Sequence, residues 1–475
     1  MTLGMLPPLM FGGMILTLLI GFPVAFSLAA VGLGFGVAGA AAGLFTPDFL
    51  NALPLRLFGI VSNELLLAIP FFTFMGAILE RCGLAEDLLE GMGQLFGSKP
   101  GGLAFAVVIV GAILGAITGT VAASVIAMGM ISLPIMYRSG YDMKLATGVI
   151  AASGTITQII PPSLVLIVLA DQLNRSVGDM YLGAIGPSIL QIAIFVIFLA
   201  IIAILQPHRM PPLPEEARTL SGWPLAKQLV LAIVPSMGLI FLVLGTIFVG
   251  LATPTEAGAM GAVGAMILAI VYRRLTRDLL RQALTSTTQI TTMSIFILFG
   301  STCFSLVFQG VNGGVWIEEL LHTLPGGRTG FLIFVTIFTF ILAFFLDFFE
   351  IAFIVIPLLA PVAEKLGIDL VWFALLICAN MQTSFMHPPF GFALFYLRGV
   401  APKEVKSSDI YWGALPWIGL QLLLVAIIIF FPQVVTYFIH RDVSLDRSTI
   451  ERKLDALDVP ALDDLDGIDL APARP

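Results

Sequence analysis

The sequence predicts an all-α polytopic membrane protein, because it combines high hydropathy, few charges and recurrent long apolar runs. Of its 475 residues, 58% are hydrophobic and 11% are charged, and the mean hydropathy is +1.03. Soluble domains carry about a quarter charged residues, so a soluble enzyme, a nucleic-acid-binding protein and a disordered chain are all excluded. A membrane-spanning helix needs about 20 apolar residues. Such runs lie at about 9–37, 57–80, 103–136, 145–170, 183–205, 229–250, 256–272, 286–310, 330–362, 371–398 and 412–438.

The N-terminal run, 9–37, is predicted to remain in the membrane. The earliest basic residue is Arg56, so the basic segment that precedes a cleaved signal peptide is missing. The cysteines Cys82, Cys303 and Cys378 lie within or beside apolar runs, at spacings that fit neither a disulfide nor a metal site. We therefore expect them to pack as small apolar side chains.

Basic residues in the loops predict the orientation of the chain. Arg209, Arg218 and Lys227 lie in one polar stretch, and a second basic cluster spans 273–281. Two apolar runs separate the two stretches, so both lie on the same side of the membrane. The excess of positive charge in cytoplasmic loops assigns that side to the cytoplasm.

An internal repeat divides the chain into two halves. In the first half, Pro100–Gly102 is followed 61 residues later by Pro161–Pro162; in the second, Pro325–Gly327 is followed 63 residues later by Pro388–Pro389. Paired halves with Gly- and Pro-broken hydrophobic segments are typical of secondary transporters, whose binding sites form where the breaks meet near the bilayer midplane. We predict an N-terminal half, a cytoplasmic linker, a C-terminal half and an acidic polar tail at 1–206, 207–228, 229–440 and 441–475.

The first pair of breaks comprises 115–120 and 152–162, and both segments are rich in small residues and in Ser or Thr. The second segment ends in two prolines. Prolines free backbone carbonyls that cannot complete a helix, and carbonyls together with hydroxyls suit a hard cation. The alternative is close helix packing, because Gly111, Gly115 and Gly119 form a small-residue pattern at four-residue spacing. The repeat favours a cation site.

The second pair of breaks, 343–347 and 380–391, contains or adjoins three ionisable residues. Asp347, Glu350 and His387 lie within apolar runs, where ionisable groups are costly and indicate function. For the two acids the alternative is a hairpin tip that reaches water. For His387 the alternative is a cap on the carbonyls at a helix end, against a role as a protonatable ligand.

Other motifs indicate structure or exclude chemistry. Thr253, Pro254 and Glu256 predict a helix start with a capping box. The sequence contains neither a phosphate-binding loop nor a zinc-protease, Cys-x-x-Cys or serine-hydrolase motif. A membrane-embedded enzyme is therefore a remote alternative, because four histidines scattered singly supply no converging acid, base or metal set.

The chain resembles the large membrane subunit of the tripartite ATP-independent periplasmic (TRAP) transporters, the DctM-like family. The resemblance runs from about residue 5 to 438 and rests on four passages: 21–26, 68–72, 151–163 and 250–258. The segment 379–402 is similar to the branch often labelled mannitol or chloroaromatic.

This resemblance implies an elevator fold of the ion-transporter superfamily, with a scaffold and a mobile domain built from inverted repeats. Each repeat carries a helical hairpin, expected here near 103–136 and 330–362. Family members work in the bacterial or archaeal inner membrane with a small four-helix membrane subunit and a periplasmic substrate-binding protein. Their substrates are mostly small carboxylates and sugar acids. A stand-alone sodium- or proton-coupled carboxylate transporter of the same superfamily is the alternative.

The resemblance also implies two sodium sites, each between a hairpin tip and the facing helix break. The matching positions of the first site are Gly115, Thr118, Thr157, Ile160 and Pro162. Those of the second site are Ala343, Ser384, His387 and Phe390.

The sequence departs from the family at three of these positions. The family usually has Gly at Thr157 and Ser384, and Thr at His387. A proton on His387 is therefore expected to replace the second sodium in part, with transport changing between about pH 5.5 and 7.5.

The expected function is sodium-driven import of a small organic acid by an elevator mechanism. Half-helix N-termini, whose free N–H groups favour carboxylates, are expected to hold the acid. The polar side chains expected near the acid are Ser153, Thr155, Asn380 and Gln382.

Overall fold

The computed structural model describes residues 3–44, 46–218, 220–322, 325–344, 346–388 and 391–439, and helices form the regular structure within them. The predicted tail 441–475 lies outside the described residues. In the N-terminal half the α-helices are α1 (Leu6–Ile20), α2 (Val24–Ala41), α3 (Leu53–Val61), α4 (Ala68–Arg81), α5 (Leu84–Phe96), α6 (Gly102–Thr118), α7 (Val121–Arg138), α8 (Met143–Thr155), α9 (Leu164–Gln172) and α10 (Val177–Leu205).

The C-terminal half continues after a linker. Its helices are α11 (Trp223–Phe248), α12 (Pro254–Val271), α13 (Arg277–Gly310), α14 (Gly313–His322), α15 (Gly327–Leu342), α16 (Phe348–Glu350), α17 (Ile356–Lys365), α18 (Leu370–Met381), α19 (Phe392–Val400), α20 (Ser407–Phe430) and α21 (Gln433–Thr436). A π-helix, Ile351–Val355, joins α16 to α17. Because α11 begins at Trp223, residues 223–228 of the predicted linker are helical; Pro224 is tolerated in the first helical turn.

Seven of the described helices are long and apolar enough to cross a membrane. The pair Asp48–Val61 and Glu64–Arg81, bent by 46° at its break, brings the number of candidate spans to eight if it is counted as one span. The capping box predicted at Thr253 and Glu256 is confirmed at the start of α12. The three cysteines are free and buried, as expected.

The first apolar run is not a single helix, although 9–37 was expected to be one membrane segment. It divides into α1 and α2 at Gly21, whose φ is +91°, and Pro23 precedes α2. A left-handed Gly followed by Pro ends one helix and starts the next. The two helices pack against each other.

Small residues allow the helices around α13 to approach closely. Helix α13 packs against α2 and α4, and α4 packs against α12. A Cβ on Gly32 would lie 2.8 Å from the Cα of Phe304, and one on Gly261 would lie 2.6 Å from the sulfur of Met75. Without a hydrophobic driving force between helices in lipid, such close packing stabilises their association.

Each half contains a helix–turn–helix followed by a broken helix. In the first half, α6 and α7 meet at Gly119 and Thr120, and α8 passes through a 3₁₀ turn, Ile156–Gln158, before α9 begins. In the second half, α15 and α16 are joined by 343–347, and α18 passes through a 3₁₀ turn, Gln382–Met386, before α19. These helix pairs overlap the segments 103–136 and 330–362, where the resemblance implies hairpins.

The two basic stretches lie at the same end of the molecule, the end assigned to the cytoplasm. Asp87 is within 3.2 Å of Arg274, which follows α12, and its backbone carbonyl accepts a hydrogen bond from Gln228, near the start of α11. The Tyr272 hydroxyl donates to the carbonyl of Leu231. These contacts tie α5, α11 and the end of α12 together.

The linker is bonded to the base of the first hairpin. The backbone N–H of Gly101 donates to Met210 O at 2.9 Å, and that of Leu213 donates to Gly97 O at 2.8 Å. Arg209 forms a 2.7 Å ion pair with Asp142, which also caps the N-terminus of α8. Burial alone would raise the pKa of Asp142, but the Arg209 hydrogen bond and charge outweigh it and hold the pKa below its ordinary value.

We predict that Asp142→Ala destabilises the protein at neutral pH more than Asp142→Asn does, by about 1 kcal/mol, because Asn still caps α8. A lowered carboxyl pKa stabilises the fold above the unfolded pKa, near 4, and that contribution is lost as the pH falls through the folded pKa. Thermal unfolding of the three proteins at pH 7 and pH 3.5 measures both effects. Equal losses for the two variants, or an advantage of the wild type over Asp142→Asn that is the same at both pH values, contradict the prediction.

Candidate functional site

The two broken helices meet in the interior, as the repeat predicted. Thr155, at the end of α8, accepts a hydrogen bond from Gln421 of α20 at 2.8 Å. In the opposite direction, Gln191 of α10 donates to Gln382 in the second break. All four side chains are fully buried. Each half therefore reaches across to bond the break of the other half.

These two bonds are equivalent in the repeat. Thr155 and Gln382 both lie six residues before the first proline of their Pro-Pro pair. Gln191 lies on the helix that follows the first broken helix, and Gln421 on the helix that follows the second. The carbonyl oxygens of both glutamines are buried without a hydrogen-bond partner among the described residues.

At the first predicted sodium site the structure brings the hairpin against the break. A Cβ on Gly115 would lie 3.0 Å from the Cα of Thr157, and one on Gly119 would lie 3.8 Å from Pro162 O. Gly119 has a φ of +61°, which only glycine adopts readily. Thr118 is the last residue of α6, and Ile160 lies in the non-helical part of the break. The close helix packing weighed as the alternative is therefore present as well.

Buried oxygen atoms without partners surround this contact. The hydroxyl of Thr157 and the side-chain carbonyl of Gln158 are buried and have no hydrogen-bond partner among the described residues. Leaving such a group unpaired costs roughly 1–3 kcal/mol. The carbonyl of Ile159, by contrast, accepts from Ser188 at 3.1 Å. Oxygen atoms without protein partners are available to a hard cation such as sodium.

At the second predicted sodium site His387 is enclosed by aromatic rings of the hairpin. Its ring centroid lies 4.2 Å from Phe344, which follows Ala343, and 4.3 Å from Phe340. Neither ring nitrogen has a hydrogen-bond partner among the described residues, so His387 does not cap the end of the helix. The hydroxyl of Ser384 already donates to Met381 O at 2.6 Å. Phe390, the fourth predicted ligand, lies outside the described residues.

Asp347 and Glu350 form a capping box at the tip of the second hairpin. Asp347 Oδ1 accepts from the Glu350 N–H at 2.9 Å, and Glu350 Oε2 accepts from the Asp347 N–H at 2.8 Å. Both residues are partly buried. The two carboxylates therefore satisfy the first backbone donors of this hairpin arm.

A cavity of about 310 Å³ lies between the two hairpin tips and the two breaks. Hairpin residues, break residues and one face of α13 contribute to its lining. The lining comprises Gly119, Thr120, Val121, Ala122, Gln158, Leu164, Val165, Ile290, Met293, Asp347, Phe348, Phe349, Phe385, Phe392 and Tyr396.

Three helices begin at this cavity: α7 at Val121, α9 at Leu164 and α19 at Phe392. The start of α9 is capped by the hydroxyl of Ser163. Within the part of the chain that the structure describes, the N-cap residues of α7 and α19 make no side-chain cap hydrogen bond. Uncapped helix starts carry free N–H donors and a positive dipole end, which together bind carboxylates.

The chain matches the model of the family described as "Tripartite ATP-independent periplasmic transporter, DctM component" over residues 11–434. The chain belongs to this family. It is a multi-pass protein of the inner membrane and a transport protein, as predicted, and not an enzyme.

Relatives of this permease carry transporter names. It is 30% identical to the C4-dicarboxylate TRAP transporter large permease protein DctM of Pseudomonas aeruginosa, over 82% of this chain and 90% of the relative. It is 28% identical to the protein of the same name from Rhodobacter capsulatus, over 90% and 97% of the two chains. The 2,3-diketo-L-gulonate TRAP transporter large permease protein YiaN of Escherichia coli is 26% identical, over 78% and 85%.

A solved structure supports the fold of the permease. The YdaH transporter of Alcanivorax borkumensis superposes with a TM-score of 0.54 at 17% sequence identity, covering 81% of this chain and 89% of the other. The likeness concerns the arrangement of the helices alone.

The four side chains expected near the acid lie outside the lining of the cavity. Ser153, Thr155, Asn380 and Gln382 are all buried. Asn380 donates to Thr339 Oγ1 at 2.6 Å, across to the second hairpin. These residues therefore form a polar layer within the two broken helices.

Sequence reasoning missed several residues that line the cavity, chief among them Gln158, Phe385 and Tyr396. A signal for the first two was present, because each lies three residues before the first proline of its Pro-Pro pair. Met293 and Ile290 lie on α13 in an ordinary apolar pattern, so nothing in the sequence singled them out.

We predict that Gln421→Met lowers the maximal transport rate of the permease at least tenfold while changing the free energy of unfolding by only about 1 kcal/mol. The substitution removes the bond that holds Thr155, but it also removes a buried oxygen without a partner. Transport rate and thermal unfolding of the purified protein measure the two effects. Gln289→Met, at an exposed position on α13, is the matched control. An equal loss of rate in both variants contradicts the prediction.

Proposed function

We propose that this permease imports a small organic acid, driven by sodium, as the large subunit of a TRAP system. The observation that carries the proposal is the cavity of about 310 Å³ on which the uncapped starts of α7 and α19 converge. Two free helix starts supply N–H donors for a carboxylate without a buried cation. The named substrates of the relatives, C4-dicarboxylates and 2,3-diketo-L-gulonate, are carboxylates.

Sodium coupling is supported by the first break. The Thr157 hydroxyl and the non-helical backbone up to Pro162 offer oxygen atoms next to Gly115 of the hairpin. A cation there attaches the hairpin to the break, and we propose that this step precedes binding of the acid. The second predicted site is less suited to sodium. The hydroxyl of Ser384 is already bonded to Met381 O, and His387 presents nitrogen rather than oxygen.

The energetics favour two coupling ions. A tenfold sodium gradient supplies about 1.4 kcal/mol per ion, and a potential of 100 mV supplies about 2.3 kcal/mol per charge. Two ions supply roughly 7 kcal/mol, about 10⁵-fold accumulation of a neutral solute, and each negative charge on the solute lowers this by about 2.3 kcal/mol. One ion leaves a monoanion with only about tenfold accumulation.

The proposed mechanism is an elevator movement of the hairpins and broken helices against the helices around α13. A periplasmic binding protein delivers the acid, and a small four-helix membrane subunit completes the complex. The packing of α2 and α4 against α13, and of α12 against α4, supplies the stationary part. The hairpins and the two breaks, which Gln191 and Gln421 bond to α10 and α20, supply the moving part.

Reconstitution in proteoliposomes tests the proposal. With the small subunit in the membrane, uptake of a radiolabelled acid should require both the added binding protein and an inward sodium gradient. Uptake that needs sodium but no binding protein identifies a stand-alone carboxylate transporter. Uptake indifferent to sodium overturns the coupling.

We predict that Thr157→Val raises the sodium concentration for half-maximal transport at least tenfold, whereas Thr157→Ser has a smaller effect. The Thr157 hydroxyl has no protein partner and is available as a ligand. Thr287→Val is the control, because its buried hydroxyl bonds Ala283 O within the same helix. A sodium dependence unchanged in Thr157→Val shows that only the backbone contributes at this position.

We predict that transport by the wild type depends on pH, because the ionisable His387 stands at the second cation site. His387→Thr, which introduces the residue usual in the family, should flatten the profile and increase the sodium stoichiometry. The ratio of sodium to substrate flux at each pH measures the exchange. A flat wild-type profile with two sodium ions per turnover rejects the role of the proton.

A further inference from the structure

A second polar cavity, of about 360 Å³, lies at the other end of the molecule from the basic clusters. Helix α13 begins at the cytoplasmic end with Arg277, and the cavity is lined by the last part of the same helix. Helix α8 likewise begins beside the linker, and the cavity is lined by Asp171 and Gln172 at the end of α9. Both helices place the cavity, hereafter the outer cavity, on the periplasmic side.

The outer cavity lies between two groups of helices. One group is α13 with the helices packed against it (α2, α3 and α4), and the other comprises the hairpins and the broken helices. Besides α13 and α9, its lining includes Arg56 of α3, Asn63 at the bend before α4, and Phe353 of the π-helix. The hydroxyl of Ser301 on α13 donates to the Phe353 carbonyl, which links the two groups directly. π-Helical turns are frequent at functional sites.

Most polar side chains of the outer cavity are free to bind a ligand. Arg56, Thr302, Ser305 and Gln309 have no side-chain hydrogen bond or ion pair with other described residues. Asp171 is held in place, because it accepts from Asn63 at 2.6 Å and from Gln172 at 2.9 Å. The site thus combines one free guanidinium, one fixed carboxylate and several free hydroxyls and amides.

We infer that the outer cavity is an external binding site for a small monocarboxylate that carries several hydroxyl groups. The Arg56 guanidinium pairs with the carboxylate of the ligand. Asp171 accepts hydrogen bonds from hydroxyl groups, and the hydroxyl and amide side chains of α13 serve the remaining ones. A dicarboxylate is disfavoured, because its second charge would lie near Asp171. The inference rests on the proposed function only in identifying this ligand as the transported acid.

Protection of an engineered thiol tests the inference. The native cysteines are all buried, so Ser305→Cys adds one accessible thiol to the wall of the outer cavity. A membrane-impermeant maleimide should label it, and D-gluconate, the hydroxylated probe, should slow labelling at least tenfold at saturation. Succinate, the dicarboxylate probe, should protect far less. Choline replaces sodium in these measurements, so that the central cavity, the one of about 310 Å³ between the hairpin tips where binding is proposed to need sodium, does not contribute. A parallel measurement restores sodium.

Two further variants test whether protection depends on the guanidinium of Arg56 itself or on positive surface charge in general. Arg56→Gln in the Ser305→Cys background should raise the D-gluconate concentration for half-protection at least tenfold. Arg175→Gln is the matched control, because Arg175 is exposed, lies outside the lining and pairs with Glu364. Unprotected labelling rates should be equal in all three proteins, which shows that the cavity is intact.

Three results overturn the inference: equal protection by succinate, protection unaffected by Arg56→Gln, or protection that appears only when sodium is present. The last result assigns the bound acid to the central cavity. Sodium-driven uptake in proteoliposomes is measured independently, so the proposed function survives or fails by itself.

Discussion

Backbone groups inside the bilayer must be paired within the protein, and this constraint governs the structure of the permease. Two helices stop and restart in the interior, at 156–163 and 382–391. Such breaks persist only when they are buried in protein or line a cavity. Here they do both, because each break packs against a hairpin and the other half, and the two breaks share the central cavity. The glycine contacts of the first hairpin follow from the same requirement, since a larger residue at Gly115 would separate it from Thr157.

The centre of the permease carries more unpaired polar atoms than stability alone favours. Ser153, Thr157, Gln158, Gln382 and His387 all have buried atoms without partners among the described residues. Native structures contain a few such atoms per hundred residues, and in the described part of this permease most of them lie along or beside the two breaks. Functional sites are where proteins depart from full satisfaction of polar groups. The cluster therefore coincides with the place where we propose that the permease binds its ligands.

The sequence predicted the architecture better than the chemistry of the site. Gly and Pro break helices by local sterics, so Pro161 and Pro388 identified both broken helices before any contact was known. The lining of the cavity depends on contacts between distant segments. Phe340 and His387, 47 residues apart, pack edge to face in the structure, although nothing in either local pattern pairs them. The four polar residues chosen near the breaks are buried and do not line the cavity, because periodicity does not say which face of a broken helix meets it.

The two halves share one architecture but differ in charge at their hairpin tips. At the second tip Asp347 caps the start of the helix, so a carboxylate of the protein already occupies that positive end. At the first tip α7 starts without a side-chain cap, and so does α19, which belongs to the second half. An anion in the cavity is therefore attracted towards α7 and α19 and repelled from Asp347. Only the helix start at the second hairpin tip has its positive dipole end neutralised by a carboxylate of the protein. The two halves of the cavity therefore differ in electrostatic potential, which favours a single orientation of the proposed acid.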